Sequence, residues 1–297
     1  MEYNKFEEIL NKTIHEDVIL TLLNKLIKDS KRFTSKFNLL SIKDRLVKNI
    51  LYSVNIKFGY IYEKLFEYQL KENNFKQLIS KVENEKGEKL DIDQLVEKNN
   101  KIYLIEQKIR DDHDSSKKEG QINNFNKKIN FIKKIYLKPV HAFFWFVDSK
   151  FNKNEKYYDL EIKKLIDRYK IDIKLCYGKT LYDYLNMKSA WQEIDEYFNQ
   201  RENNGYNISD IDLNLDKNPQ KNFNTILKLE PVVISKLFYN KQLNCILNML
   251  FPEKETIKLL KAYLNKKCII INTKNKITLE DKNYLKAYEA VNNFINN

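Results

Sequence analysis

Two strand patterns set close together constrain this chain more than anything else in it. Leu90-Asp91-Ile92-Asp93-Gln94-Leu95-Val96 reads as one short strand. Ile102-Tyr103-Leu104-Ile105-Glu106-Gln107-Lys108-Ile109-Arg110 has the β-branched and aromatic richness of a second, buried one. Between them Glu97-Lys98-Asn99-Asn100-Lys101 is polar enough to turn the chain, so a hairpin with a turn of about five residues is expected. Side chains alternate along a strand, which puts Glu106 and Lys108 on one face and Gln107 on the other. Asp91 and Asp93 likewise share a face, and the hairpin brings that face beside Glu106. The expected result is carboxylates and an ammonium together at one apolar sheet edge.

Carboxylates held close repel and resist ionisation unless a cation sits between them. A hard divalent ion with oxygen ligands, such as Mg²⁺, suits such a place. There it acidifies a water and neutralises charge on a phosphoryl oxygen. Asp93, a gap of 106 − 93 = 13 positions, and then Glu106-Gln107-Lys108 at the end of an apolar strand resembles the PD-(D/E)xK nuclease motif. The usual proline before the first acid is replaced by Ile92. The resemblance implies Mg²⁺ as cofactor, held by Asp93, Glu106 and the Gln107 carbonyl. It also implies that Lys108 holds the attacking water or a non-bridging phosphate oxygen. Asp91 stays open as the first ligand in place of Asp93. In that family the helix ahead of the two strands often adds a glutamate. Glu63, in the helix expected from Gly59 to Leu70, is the choice, and Glu67 one turn on the alternate.

Residues 1 to about 58 read as helices, with capping boxes at Thr13-Ile14-His15-Glu16 and Ser41-Ile42-Lys43-Asp44. Phe75 to Val82 is expected to be the first strand of the sheet. After Lys108, the polar run from Arg110 to Gln121 is expected to be a loop entering a helix. Its Arg110, Ser115, Ser116, Lys117 and Lys118 are placed to contact DNA backbone or bases, and Asp114 or Ser115 caps the helix. Ile122, Phe125, Ile129 and Ile132 are spaced to pack on a sheet, with Lys127, Lys128, Lys133 and Lys134 on the other side lining a groove. Gln121 followed by Phe125 resembles the Q-x-x-x-Y helix motif of RecB-like exonucleases, with Phe for Tyr; this implies that Gln121 touches phosphate near the metal.

Pro139 to Asp148 is a continuous apolar run, as expected for a central strand covered on both sides. Tyr158 to Lys170 reads as a helix, Ile171 to Gly178 as a strand, and Thr180 to Leu185 as the start of another helix. This order predicts an α/β (α+β) protein with a mixed central sheet and flanking helices, as the PD-(D/E)xK core has. Asn203-Asn204-Gly205-Tyr206-Asn207 is the best boundary. The expected organisation is a helical segment 1–58, a catalytic core 59–203 and a mostly helical region 204–297. Cys268 to Asn272 is expected as a lone short strand or part of a turn.

Composition narrows the partner. The formal net charge is +12, with 53 Lys and Arg against 41 acids, and an excess of this kind in a chain of this size points to a polyanion. No apolar run approaches the roughly 20 residues of a membrane span, so DNA is favoured over lipid. Three widely spaced cysteines support neither a disulfide framework nor a zinc pattern. The polar N-terminus lacks a signal peptide's apolar region, so a cytoplasmic setting is expected. Together with the resemblance, this predicts a Mg²⁺-dependent endodeoxyribonuclease of the type II restriction class. It would cut double-stranded DNA as a homodimer and be paired with a DNA methyltransferase encoded nearby. The alternatives are an exonuclease or repair nuclease of the same fold, and a non-catalytic basic nucleic-acid-binding protein.

Overall fold

In the computed structural model, which describes residues 18–83, 87, 89–203 and 212–296, the stretch from Phe75 to Lys108 forms five strands where three were expected. They are β1 (Lys76–Gln77), β2 (Lys81–Glu83), β3 (Lys89–Asp91), β4 (Gln94–Lys98) and β5 (Lys101–Lys108). The Phe75–Val82 and Leu90–Val96 patterns each break in the middle because their halves pair with different partners. β1 pairs with β4, while β2 and β3 pair only with each other in a two-stranded ribbon. Ile92 N–H donates to the Ser80 carbonyl at 3.0 Å and its side chain is buried, so the chain bends just before β4, at Asp93.

β4 and β5 form the expected antiparallel hairpin, but its turn is tighter than the polar run suggested. Lys98 pairs with Lys101, leaving only Asn99 and Asn100 between, at φ 51° and 60°. Positive φ at both central residues is what a type I′ hairpin turn demands, and asparagine is one of the few side-chain-bearing residues that accept it readily.

From β5 the chain runs through α4 (Ser115–Ile135) to β6 (Val140–Phe146), then through α5 (Glu155–Tyr169) to β7 (Asp172–Tyr177). Both strand pairs are parallel, which requires crossovers of this kind. The five-stranded sheet has the order β1-β4-β5-β6-β7. β6, in its interior, is covered on both faces, as its unbroken apolar run led one to expect. Ala142, Phe144 and Phe146 join Ile122, Phe125, Ile129 and Ile132 of α4 and Tyr158 and Ile162 of α5 in one core. On the other face Trp145 lies 4.9 Å (ring centroids) from Phe66 and 5.6 Å from Tyr182, and its Nε1 donates to the Gly178 carbonyl at 2.9 Å. Phe66 belongs to α3 (Ile42–Glu72) and Tyr182 to α6 (Thr180–Tyr184), which is followed by α7 (Lys188–Asn203). α3 is one helix of 31 residues where the capping signal at Ser41 and the glycine at 59 suggested two. Gly59 sits inside it with open space around the position of a Cβ, and one interior glycine costs only about 1 kcal/mol.

The described chain divides into two compact units, residues 59–203 and residues 18–58 together with 212–296. The second is helical: α1 (18–28), α2 (Ser30–Thr34), the first part of α3, then α8 (Pro219–Ile226), α9 (Pro231–Tyr239), α10 (Asn244–Leu250), α11 (Glu255–Asn272) and α12 (Leu279–Asn296). The run Cys268–Asn272 is helical, not a strand. Leu264, Cys268 and Ile271 are buried at helical spacing while Ile269 and Ile270 face solvent, so packing overrides the β-preference of the isoleucines. Thr278 and Asp281 cap α12 reciprocally, Thr278 N–H to Asp281 Oδ2 at 2.9 Å and Asp281 N–H to Thr278 Oγ1 at 3.2 Å. The Thr13–Glu16 box lies outside the described residues. No described helix is long and apolar enough to cross a membrane.

Candidate active site

Strand register builds the site. Gln94 stands opposite Ile105 and Leu95 opposite Leu104; one step beyond Gln94 and Ile105, Asp93 faces Glu106. Alternation then places these two acids on the face of Leu95 and Leu104, the side covered by α4. Two like charges directly across a hairpin are destabilising. Here two ammonium groups answer them. Lys108 Nζ lies 2.8 Å from Glu106 Oε1, 3.3 Å from Asp93 Oδ2 and 2.7 Å from the Gln107 carbonyl oxygen. Lys128 Nζ, from α4, lies 2.5 Å from Glu106 Oε2 and 3.7 Å from Asp93 Oδ1. The Gln107 backbone N–H donates to Asp93 Oδ2 at 2.7 Å, which fixes the aspartate against the end of β5. Glu106 is 1% exposed and Lys128 2%. Burial works to lower the Lys108 ammonium's pKa, and the charges and hydrogen bonds of Glu106 and Asp93 more than reverse it, holding the group above the usual lysine range.

Glu63 comes from α3, tied to the sheet because Gln94 Nε2 donates to its backbone carbonyl at 2.9 Å. Its carboxyl is pushed from the ordinary 4.5 up to about 7, first by burial and then by the charge of Asp93, with Asp91 and Glu106 adding and Lys108 opposing. Glu67, the alternate, is bound to its own lysines, Lys64 and Lys71, each at 2.8 Å. Asp91 ends β3 on an exposed position, and it is Asp93 that faces Glu106.

The Glu63 shift has a stability consequence whose sign is fixed. Its folded-state pKa lies above the unfolded one, so its contribution is fully present below about pH 4.5 and is lost as pH rises through about 7. The full shift corresponds to about 3 kcal/mol; solvent screening of a half-buried group reduces that to about 1–2 kcal/mol. Thermal melts in EDTA should therefore show Glu63→Gln more stable than the parent at pH 8 and no more stable at pH 4.5. A parent–variant difference independent of pH would contradict the placement of this carboxyl.

The loop after β5 divides in two. Arg110, Ser115, Ser116 and Lys117 are exposed, with Arg110 Nε 3.8 Å from Asp112 Oδ2 and its guanidinium 5.4 Å from the Phe151 ring centroid. Asp114 is the N-cap of α4, its carboxylate accepting from Lys117 N–H at 3.0 Å. Lys118 and Gln121 are partly engaged within the fold. The Lys118 ammonium sits 4.4 Å over the Tyr157 ring, and Gln121 Oε1 accepts from Tyr158 OH at 2.7 Å. Asp111 is fully buried and bound to Asn154 and Tyr177.

Lys128 was placed by sequence among the groove-lining lysines, and that placement fails. The signal lay in the helical phase. Phe125, Lys128, Ile129 and Ile132 stand at i, i+3, i+4 and i+7, so Lys128 falls inside the buried stripe while Lys127 falls outside it.

The donor set at Asp93 and Glu106 is all oxygen: two carboxylates and the Gln107 carbonyl. An ammonium already stands between the carboxylates, and a hard divalent cation fits such a set. Among the described residues no group of three or more His, Cys, Asp or Glu side chains converges as metal ligands. The remaining positions would fall to water and substrate oxygens, as Mg²⁺ prefers.

No curated protein and no solved structure matches the chain. One family model does, described as "Type II restriction endonuclease, HinfI", over residues 67–202. The match takes in β1 to β7 and every site residue above except Glu63. Residues 67–202, which hold the mixed sheet and the facing acids beside a lysine, are similar to this type II restriction endonuclease family.

Proposed function

We propose that the protein hydrolyses phosphodiester bonds of double-stranded DNA in a Mg²⁺-dependent reaction at Asp93, Glu106 and Lys108. The observation that carries this is the meeting of the two carboxylates across β4 and β5 with one ammonium bonded to both. Asp93 and Glu106, with the Gln107 carbonyl, would hold the ion. When bound, Mg²⁺ supplies Lewis-acid polarisation of the scissile phosphate and the attacking water. Lys108, kept protonated by its neighbours, holds the water or a non-bridging oxygen in line. Glu63 adds a third carboxylate on the α3 side, able to exchange a proton near neutral pH. Arg110, Ser115, Ser116 and Lys117, with Lys118 and Gln121 beside them, offer donors for backbone phosphates and base edges next to the site.

Cutting both strands at a twofold-symmetric sequence requires two such sites, so the acting species is a homodimer. A cytoplasmic setting with a methyltransferase protecting host DNA completes this reading. Incubation of purified protein with plasmid should give discrete fragments with Mg²⁺ and none with EDTA. Smeared products would favour the exonuclease alternative, and intact plasmid across all metal concentrations would overturn the proposal.

A further inference from the structure

Lys128 stands where the cation belongs. Its ammonium is 2.5 Å from Glu106 Oε2, within the range of a Ca²⁺–oxygen bond (about 2.3–2.6 Å), and 3.7 Å from Asp93 Oδ1. Among the described residues it meets only these two carboxylates, whereas Lys108 also bonds to the Gln107 carbonyl. The charges of Asp93 and Glu106 are already balanced by the two ammonium groups bonded to them. A divalent ion added beside both ammonium groups would bring more positive charge than these two carboxylates can balance into a site where Glu106 and Lys128 are buried almost completely. One ammonium has to leave, and Lys128 has the fewer bonds to lose. Its four-carbon stem gives it reach.

We propose that Lys128 is a resident counter-ion of the metal site. Before loading it holds Asp93 and Glu106 together; a divalent ion binds only by displacing its ammonium from between them. Lys128 is thus a positioning residue that sets metal affinity. This rests on the metal-dependent reading above, and the two can fail separately.

The test uses the full chain without DNA and Ca²⁺ as the probe. Calorimetric titration should show Lys128→Met binding Ca²⁺ tighter than the parent by about tenfold or more, since no ammonium competes. A lysine that merely supported the fold would leave affinity unchanged or weaken it. The parent protein gives a second measurement that needs no variant to fold. Acylation of lysines followed by mass spectrometry should find Lys128 protected in EDTA and modified in saturating Ca²⁺, while Lys127 reacts in both. Binding of equal strength to parent and variant, or Lys128 still protected in Ca²⁺, overturns the counter-ion role alone. If neither protein binds Ca²⁺, the metal site is overturned and this role with it.

Discussion

Lys108→Ala is expected to slow plasmid cleavage at saturating Mg²⁺ by about 10²–10³-fold, the usual effect of removing one preorganised charge from a developing anion. The ammonium is fixed by three oxygens, at 2.7, 2.8 and 3.3 Å, so it needs no reorganisation as charge builds on the phosphate. Its loss should appear in the rate at saturating Mg²⁺, where the proposed metal ligands remain in place. The fold should survive, since Lys128 still compensates Glu106 and Asp93 and the Lys108 side chain is itself a quarter exposed. Lys108→Arg should not restore the rate. A planar guanidinium cannot place one nitrogen against all three oxygens. The measurement is the initial cleavage rate over a Mg²⁺ series, with a melt to show the variant is folded. Undiminished cutting by a folded Lys108→Ala protein would remove this lysine from the chemistry.

What made the meeting of Asp93, Glu106 and Lys108 legible was local. A period-2 pattern fixes which side chains share a face, and the register one step past Gln94 and Ile105 does the rest. The same period misled where strand partners change. Phe75–Val82 and Leu90–Val96 look continuous in sequence, yet each is split between the main sheet and the β2–β3 ribbon. Hydrogen-bond partners of the backbone leave no mark on side-chain pattern. Cys268–Asn272 failed for a related reason: three consecutive isoleucines favour a strand, and the buried spacing of Leu264, Cys268 and Ile271 made them a helix. Lys128 was hidden by composition. In a chain with 53 Lys and Arg, a lysine on a helix is taken for surface unless its phase is compared with its apolar neighbours.

In sequence Asp111 is one more polar residue of the loop expected from Arg110 to Gln121. The structure gives it a different task, and one with a large expected effect. Asp111 is wholly buried, and its carboxylate accepts from Asn154 N–H at 2.8 Å, Asn154 Nδ2 at 2.7 Å and Tyr177 OH at 3.1 Å. Its backbone carbonyl accepts from Lys153 N–H at 3.2 Å. Among the described residues no cation pairs with this carboxylate; hydrogen bonds hold it. The Tyr177 phenol is pushed well above its usual range, first by burial and then by the Asp111 charge, so it remains a donor.

Asp111→Ala would strip the acceptor from the buried Asn154 N–H and from the partly buried Tyr177 hydroxyl, and leave Asn154 Nδ2 only its bond to the His113 carbonyl, at about 1–3 kcal/mol for each buried donor left unanswered. With partial relaxation the expected loss is about 3–5 kcal/mol. For a unit of this size that lowers Tm by about 10 °C. Asp111→Asn keeps the shape but turns one acceptor into a donor facing donors, so it should rescue only part of the loss. Because Asp111 makes no hydrogen bond to Asp93, Glu106 or Lys108, cleavage by the variant at saturating DNA, well below its Tm, should stay near the parent's rate. Its neighbour should behave in the opposite way. Arg110→Ala removes an exposed guanidinium paired loosely to Asp112, so Tm should hold while DNA affinity falls and its salt dependence weakens. If instead Asp111→Ala melts with the parent, the anchoring of this loop by buried hydrogen bonds is refuted.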